Sequence, residues 1–156
     1  TGIADDTQAG RFTTLFLEKA DDVMVDMTVM LPGVSKTIYR LAERGYRMGI
    51  VSTKRRRPIQ AILHRDDLYR YFAVIVGGDD IRIPKPDPEG VGKALTAMGI
   101  APESALYVGD SRTDAMTARN AGLDFAAVLT GVTGREAFGD GAAMYGNLEE
   151  LADALG

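Results

Sequence analysis

The sequence predicts an α/β domain, a three-layer Rossmann-like arrangement around a mainly parallel sheet. Three observations lead there. Short apolar runs of strand type alternate with stretches of helical periodicity through most of the 156 residues. The loops between them are short and rich in Gly, Pro and Asp. No internal repeat and no low-complexity linker divides the chain. Strands separated by helices need crossover connections, and crossovers make neighbouring strands parallel.

The elements follow in chain order. Ala9, Phe12, Phe16 and Ala20 recur at helical spacing, which predicts an amphipathic helix over 9–19. Residues 22–31 carry Val23, Val25 and Val29 and read as an extended segment that stops at Pro32-Gly33. Ser35 is the expected N-cap of a helix bearing Ile38, Leu41 and Ala42, closed by Gly45. Residues 47–51 form a buried strand ending at Ser52-Thr53. Pro58 suits the first turn of a helix that buries Ile59, Ile62 and Leu63. Residues 73–76 are a short strand leading into Gly77-Gly78-Asp79-Asp80. A helix from Asp87-Pro88 through Val91, Leu95 and Met98 ends at Gly99. Strand 105–108 runs into Gly109-Asp110-Ser111, helix 113–121 is closed by Gly122, and strand 125–128 follows. Asn147 caps a last helix through Leu155.

Composition narrows the function. The chain has 18 Lys+Arg against 22 Asp+Glu, a formal charge of −4, and no basic half, so nucleic acid is not the expected partner. It has no Cys and one His, which excludes disulfide scaffolds, thiolate and multi-His metal sites, and a Cys nucleophile. His64, on the polar side of its helix, reads as a surface residue. No apolar run reaches the roughly 20 residues that span a bilayer, and no signal-peptide pattern opens the chain. A cytoplasmic setting without membrane attachment is expected.

In open parallel sheets, ligands bind at the carboxyl ends of the strands. Ser52, Thr53 and Lys54 end one predicted strand, and Asp110, Ser111 and Asp114 follow another. The 73–76 strand leads on to Pro84-Lys85-Pro86-Asp87-Pro88. A hydroxyl and an ammonium can hold phosphate oxygens, and carboxylates can hold a hard cation such as Mg²⁺. Each residue has a plainer reading. Ser52 could cap the next helix, Asp110 and Asp114 could complement a helix dipole, and Lys85 could be a solvated loop lysine. On one sheet edge together, they point to phosphate-plus-metal chemistry.

These residues carry a resemblance. Gly49-Ile50-Val51-Ser52-Thr53-Lys54 resembles the second motif of the haloacid dehalogenase superfamily, and Pro84-Lys85-Pro86-Asp87-Pro88 resembles the third. Tyr107-Val108-Gly109-Asp110-Ser111-Arg112-Thr113-Asp114 resembles the fourth. Lys85 lies 33 residues after Ser52 and Asp110 lies 25 after Lys85, spacings that also match. The likeness extends from Pro32 to Leu155 and is strongest to the phosphoglycolate phosphatase and pyrophosphatase-like phosphatases. It implies a Mg²⁺-dependent phosphohydrolase acting on a small phosphorylated metabolite, a phosphate ester or pyrophosphate. Ser52 and Lys85 would be catalytic, with Thr53 beside them on the substrate. Asp110, with Asp114 behind it, would hold the metal.

The family's first motif, Asp-x-Asp-Gly-Thr, does not occur in the chain. In the family its first Asp attacks phosphorus to give an aspartyl-phosphate, and its second acts as acid and base. The expectation is a fragment in which 1–31 is the remnant of a helical cap with its return linker and 32–156 is the core. The other reading is a shortened enzyme in which Asp26 replaces the nucleophile. A non-catalytic remnant serving as a binding or assembly module is the rival from outside enzymology. A phosphoacceptor receiver domain fits less well, because it does not expect the Pro-Lys-Pro-Asp-Pro loop. The Lys54-Arg55-Arg56-Arg57 run could draw anions inward or be a solvated helix start, and Asp79 and Asp80 could stand behind the metal or be loop polarity. The resemblance also implies a central strand between those ending at Ser52 and Asp110. That position should be filled by 22–31, within one chain or by exchange in a homodimer.

Overall fold

Residues 22–31 do not form that strand. In the computed structural model, which describes residues 3–139 and 141–156, helix α1 (Ile3–Met27) continues through them and the chain is irregular from 28 to 32. Asp21, Met24, Val25 and Thr28 turn inward at helical spacing. The stripe begins with a carboxylate, so it does not read as an apolar helical face. Asp21 is 6% exposed and paired with Arg55 at 3.1 Å. Tertiary pairing thus overrides the β propensity of the valines. The outer stripe of α1 faces solvent, with Phe12 71% and Phe16 63% exposed. The Ala9 side chain lies outside the described residues.

Beyond this segment the alternation holds. The order is α2 (Val34–Glu43), β1 (Met48–Val51), α3 (Arg56–Arg65), β2 (Phe72–Val76), α4 (Glu89–Met98), β3 (Leu106–Gly109), α5 (Arg112–Ala121), β4 (Asp124–Val128), β5 (Ala143–Tyr145) and α6 (Leu148–Ala154). Helix α2 starts one residue before Ser35; its N-cap is Gly33, at a positive φ of 81° that suits glycine. Strand β5, three residues long, had no readable pattern in the sequence. Asn147 caps α6 as expected, its Oδ1 accepting from the Glu150 N–H at 3.0 Å while Glu150 accepts from the Gly146 N–H at 2.6 Å. Asn147→Ala is expected to cost about 1 kcal/mol, read as a lower urea midpoint at unchanged slope.

All strand pairs are parallel, but they form two sheets rather than one. β1 pairs with β2, and β3–β4–β5 form a second ladder. Alternate side chains sort into three layers. Met48, Ile50 and Ile75 meet α2 and α3 in a cluster with Ile38, Ile59, Leu63 and Leu68. On the opposite face Val51 lies against Gly90 of α4. A second cluster joins Ala126 and Val128 to Leu151 of α6. Helix α4 packs on α5 and α2 packs on α6, so helix pairs bridge the sheets on both faces. The α2–α6 seam includes the Arg40–Asp153 ion pair, Arg44 donating to Ala152 O at 2.6 Å and Tyr46 donating to Leu155 O at 2.9 Å.

Among the described residues, no strand pairs with the inner edges of β1 and β3. The expectation that this position must be filled assumed dry edges. Gly49 of β1 is exposed, and Leu106 and Val108 of β3 are 38% and 37% exposed, so solvent reaches these short strands and can satisfy their backbone groups. The segment expected to fill the position, or to be exchanged between two copies, is helical and docked on α3.

Candidate active site

Pairing of β1 with β2 runs to its last residue, since the Ser52 N–H donates to Val76 O at 2.9 Å. The Ser52 hydroxyl then accepts from the Lys54 N–H at 3.1 Å, closing a turn at the strand end. It does not cap α3. Asp79 does so, its Oδ1 accepting from the Arg56 N–H at 2.8 Å. Asp80 accepts from the Gly77 N–H and from Arg56 Nε, both at 2.8 Å. Both acids therefore hold the 77–80 loop against the start of α3. The two loops cross where only glycine fits: a Cβ on Gly77 would meet the Arg56 backbone nitrogen, and one on Gly78 the Thr53 carbonyl oxygen. Thr53 is exposed beside this turn.

Of the basic run, Lys54 is exposed with its Nζ 3.5 Å from the Met24 sulfur, and the three arginines are paired with acids. Arg55 pairs with Asp21, Arg56 with Asp80 at 2.8 Å, and Arg57 with Asp22 at 3.4 Å. Asp26 sits in the last turn of α1, and the neighbouring Val25 carbonyl accepts from Arg65 at the opposite end of α3 from Ser52. It ends no strand and joins no part of the candidate site, so the shortened-enzyme reading loses its nucleophile. His64 is exposed and stacks on Tyr69 with ring centroids 4.0 Å apart.

The loop carrying Lys85 is tied from both sides. Glu89 Oε2 accepts from the Arg82 and Ile83 N–H groups, each at 2.9 Å. Asn120 of α5 donates to Pro86 O at 2.9 Å. Lys93 and these backbone donors hold the Glu89 carboxyl down at about 2. Lys85 Nζ thereby reaches Asp114 Oδ1 at 2.7 Å, with side chains 14% and 9% exposed.

Asp114 is fully engaged. Its Oδ2 accepts from the Ser111 hydroxyl at 2.6 Å and the Asp110 N–H at 3.3 Å, and its Oδ1 also accepts from the Tyr107 hydroxyl at 3.3 Å. Ser111 is in turn the N-cap of α5. By contrast, Asp110 is exposed at the end of β3, and no hydrogen bond or ion pair among the described residues ends on its carboxylate. That carboxylate lies against Gly131 in the loop after β4, where a Cβ would collide with it. Lys85 and Asp114 are thus joined beside Asp110 at the end of β3, whereas Ser52 ends β1 in the other sheet, and no hydrogen bond among the described residues links it to them. Tyr107 stands in the fourth-motif stretch but has no site role in the sequence reading, because Leu-Tyr-Val reads as strand core, and Gly131 gives no signal because its loop has no periodicity.

Burial pushes the Asp114 carboxyl up, but the hydrogen bonds from Lys85 and Ser111 outweigh it and hold it below the usual carboxylate value. Burial likewise pushes the Lys85 ammonium down, and Asp114 more than restores it. Because the folded-state value of Asp114 is depressed, its stabilisation is present above the ordinary pKa of about 4 and is lost as pH falls through the folded value. Lys85 gives the mirror case, lost only as pH rises through its raised value. Asp114→Asn is therefore expected to narrow its stability gap to wild type in acid and hold it constant between about pH 6 and 9, measured by urea unfolding across pH.

A family model described as haloacid dehalogenase-like hydrolase matches residues 3–128. The chain belongs to the haloacid dehalogenase-like hydrolases. It is 33% identical over 144 residues to the phosphoglycolate phosphatase of Escherichia coli K12, a match covering 91% of this chain and 57% of that protein. The chain thus spans little more than half the length of such relatives. Among solved structures it is similar to a haloacid dehalogenase-like protein of Bacteroides fragilis, at 36% identity and a TM-score of 0.83, covering 97% of this chain and 73% of the other. It is also similar to CbbY of Rhodobacter sphaeroides, solved with xylulose-(1,5)bisphosphate, at 25% identity and a TM-score of 0.75, covering 86% and 61%. The fold and the phosphatase kinship expected from the three motifs therefore stand.

Proposed function

We propose that this chain carries the phosphate-holding and cation-holding part of a Mg²⁺-dependent phosphohydrolase for a small phosphate ester. The attacking carboxylate would come from a strand seated between β1 and β3. The observation that carries this reading is the Lys85–Asp114 pair held beside an open carboxylate, Asp110, at the end of β3, and Ser52 at the end of β1 is assigned to the same site by the proposal. The unpaired inner edges of β1 and β3, flanking Ser52 and Asp110, support the place given to the added strand. The sugar bisphosphate bound by CbbY supports the substrate class.

The donor set suits a hard cation. Asp110 offers free carboxylate oxygens, Asp114 stands behind it engaged with Lys85 and Ser111, and no cluster of three acidic or imidazole groups occurs among the described residues. The fit is that of a partial site, with Asp110 as the direct ligand. The cation, when bound, would neutralise phosphoryl charge. Lys85 would hold a phosphoryl oxygen by a charge-assisted hydrogen bond, and the Ser52 hydroxyl, already accepting from the Lys54 N–H, would donate its proton to another. Catalysis of this kind consists largely of positioning and electrostatics.

Titration of the chain with inorganic phosphate in Mg²⁺ buffer, followed by amide shifts in NMR, tests the reading. Binding on the order of millimolar is expected, with shifts centred on 52–54 and 109–111, and Lys85→Met should abolish it. Phosphate shifts that ignore Lys85→Met would overturn it.

A further inference from the structure

We infer that Tyr107 is a positioning residue for Lys85: its hydroxyl, seated between Lys85 Nζ and Asp114 Oδ1, fixes the direction in which the ammonium presents its remaining protons to phosphate. This rests on the phosphate-holding role proposed above.

The geometry is a closed triangle. Lys85 donates to Asp114 Oδ1 at 2.7 Å and to the Tyr107 hydroxyl at 3.4 Å, and the Tyr107 hydroxyl donates to the same Oδ1 at 3.3 Å. A lysine ammonium has three donors on a flexible stem, and one carboxylate contact leaves it free to rotate and swing. A second contact removes most of that freedom, leaving the third N–H outside the triangle. Of the groups facing this ammonium, Asp114 supplies the charge, and Tyr107 supplies the second point.

The ring itself is held. Tyr107 lies opposite Phe125 across the β3–β4 ladder, with ring centroids 6.4 Å apart. Phe125 in turn stacks on Phe138 at 6.0 Å. A packed ring carries its hydroxyl on a rigid lever, with one hydroxyl rotor left to orient. Neighbouring strand residues offer no such atom: Leu106 and Val108 are aliphatic and point to the other face. The strand could satisfy its core with Phe at 107, so the hydroxyl is the atom that needs a reason. Burial among these groups pushes the phenol up from its ordinary value, so it is a neutral donor at neutral pH.

Tyr107→Phe removes the hydroxyl and keeps the ring, which separates positioning from packing. At pH 7 the full chain and its Tyr107→Phe and Lys85→Met variants are titrated with inorganic phosphate in Mg²⁺ buffer, and their urea midpoints are measured beside them. In Tyr107→Phe, phosphate affinity is expected to fall about three- to tenfold. The Lys85 ammonium ¹⁵N–¹H signal, sharp in wild type at low temperature, should broaden. The conservative change should leave the ring shifts of Phe125 and Phe138 in place. Phosphate affinity lost in Lys85→Met but unchanged in Tyr107→Phe would overturn the positioning role and leave the functional reading standing. Affinity indifferent to Lys85→Met would overturn both. A Tyr107→Phe chain with displaced Phe125 and Phe138 signals would assign the hydroxyl a packing role and likewise overturn the inference.

Discussion

The 156-residue chain is expected to hydrolyse an aryl phosphate no faster than buffer, even with Mg²⁺ present. Phosphoryl transfer needs a nucleophile in line with the leaving group, and the described site lacks a suitable one. The Ser52 hydroxyl accepts from the Lys54 N–H, and no imidazole or carboxylate is bonded to it to take its proton. His64 is on the surface against Tyr69. Asp114 has spent its oxygens on Lys85, Tyr107, Ser111 and the Asp110 N–H. Asp110 is free, but in the proposed function it is given to the cation. Joining a strand ahead of the chain, parallel to β1 and β3 and ending in the Asp-x-Asp-Gly-Thr sequence, is expected to raise the rate by about three orders of magnitude or more. Changing the first added Asp to Asn should remove the gain. Robust turnover by the 156-residue chain that disappears in Asp26→Asn would contradict both this expectation and the placement of Asp26 beside the far end of α3.

The second large effect concerns the crossing of two loops. Gly77→Ala and Gly78→Ala are each expected to cost about 3 kcal/mol and to weaken phosphate binding beyond what stability alone explains. Neither residue has a positive φ, so the reason is space rather than backbone freedom. The obstructing atoms are the backbone nitrogen of Arg56 and the carbonyl oxygen of Thr53, which cannot move away as a flexible side chain can. To admit a methyl group, the 52–56 turn must shift, and Ser52 shifts with it. Gly92→Ala is the control. Nothing lies within 4 Å of its Cβ position in α4, so the same chemical change should be stabilising by about 0.5–1 kcal/mol. Urea midpoints for the three variants decide the matter, and a neutral Gly78→Ala would mean the loops do not cross as described.

The sequence was most readable where one physical signal dominated. Asn147, Gly99 and Gly122 mark helix ends by local hydrogen bonding or by positive φ, and each lies at the end where it was expected. The motif residues Ser52 and Asp110 were legible as strand-end residues because each follows a short apolar run, and they do end β1 and β3. Legibility failed where a polar partner replaced an apolar one. Asp21 leads the inward face of α1 only because Arg55, thirty-four residues later, neutralises it. Ser52 looked like a helix cap, yet the acceptor for the α3 terminus comes from Asp79 in another loop. No local window contains either fact. Ser35 shows the smaller kind of error, a good cap residue passed over because Gly33 already turns the chain.

The division of the strands into two ladders has a mechanical consequence. Backbone hydrogen bonds are the stiff members of an α/β domain, and none of the ladders crosses from β1 to β3. What resists relative sliding of the two halves is the α4–α5 and α2–α6 seams and the Lys85–Asp114 strut. Side-chain seams yield in shear more readily than ladders do, so each half, with its own hydrophobic cluster, can open as a cooperative unit below the cost of global unfolding. Amide protons on the facing edges of β1 and β3 should therefore exchange early. Those of Ala126 and Ala127, in the middle of a three-stranded ladder, should be among the last.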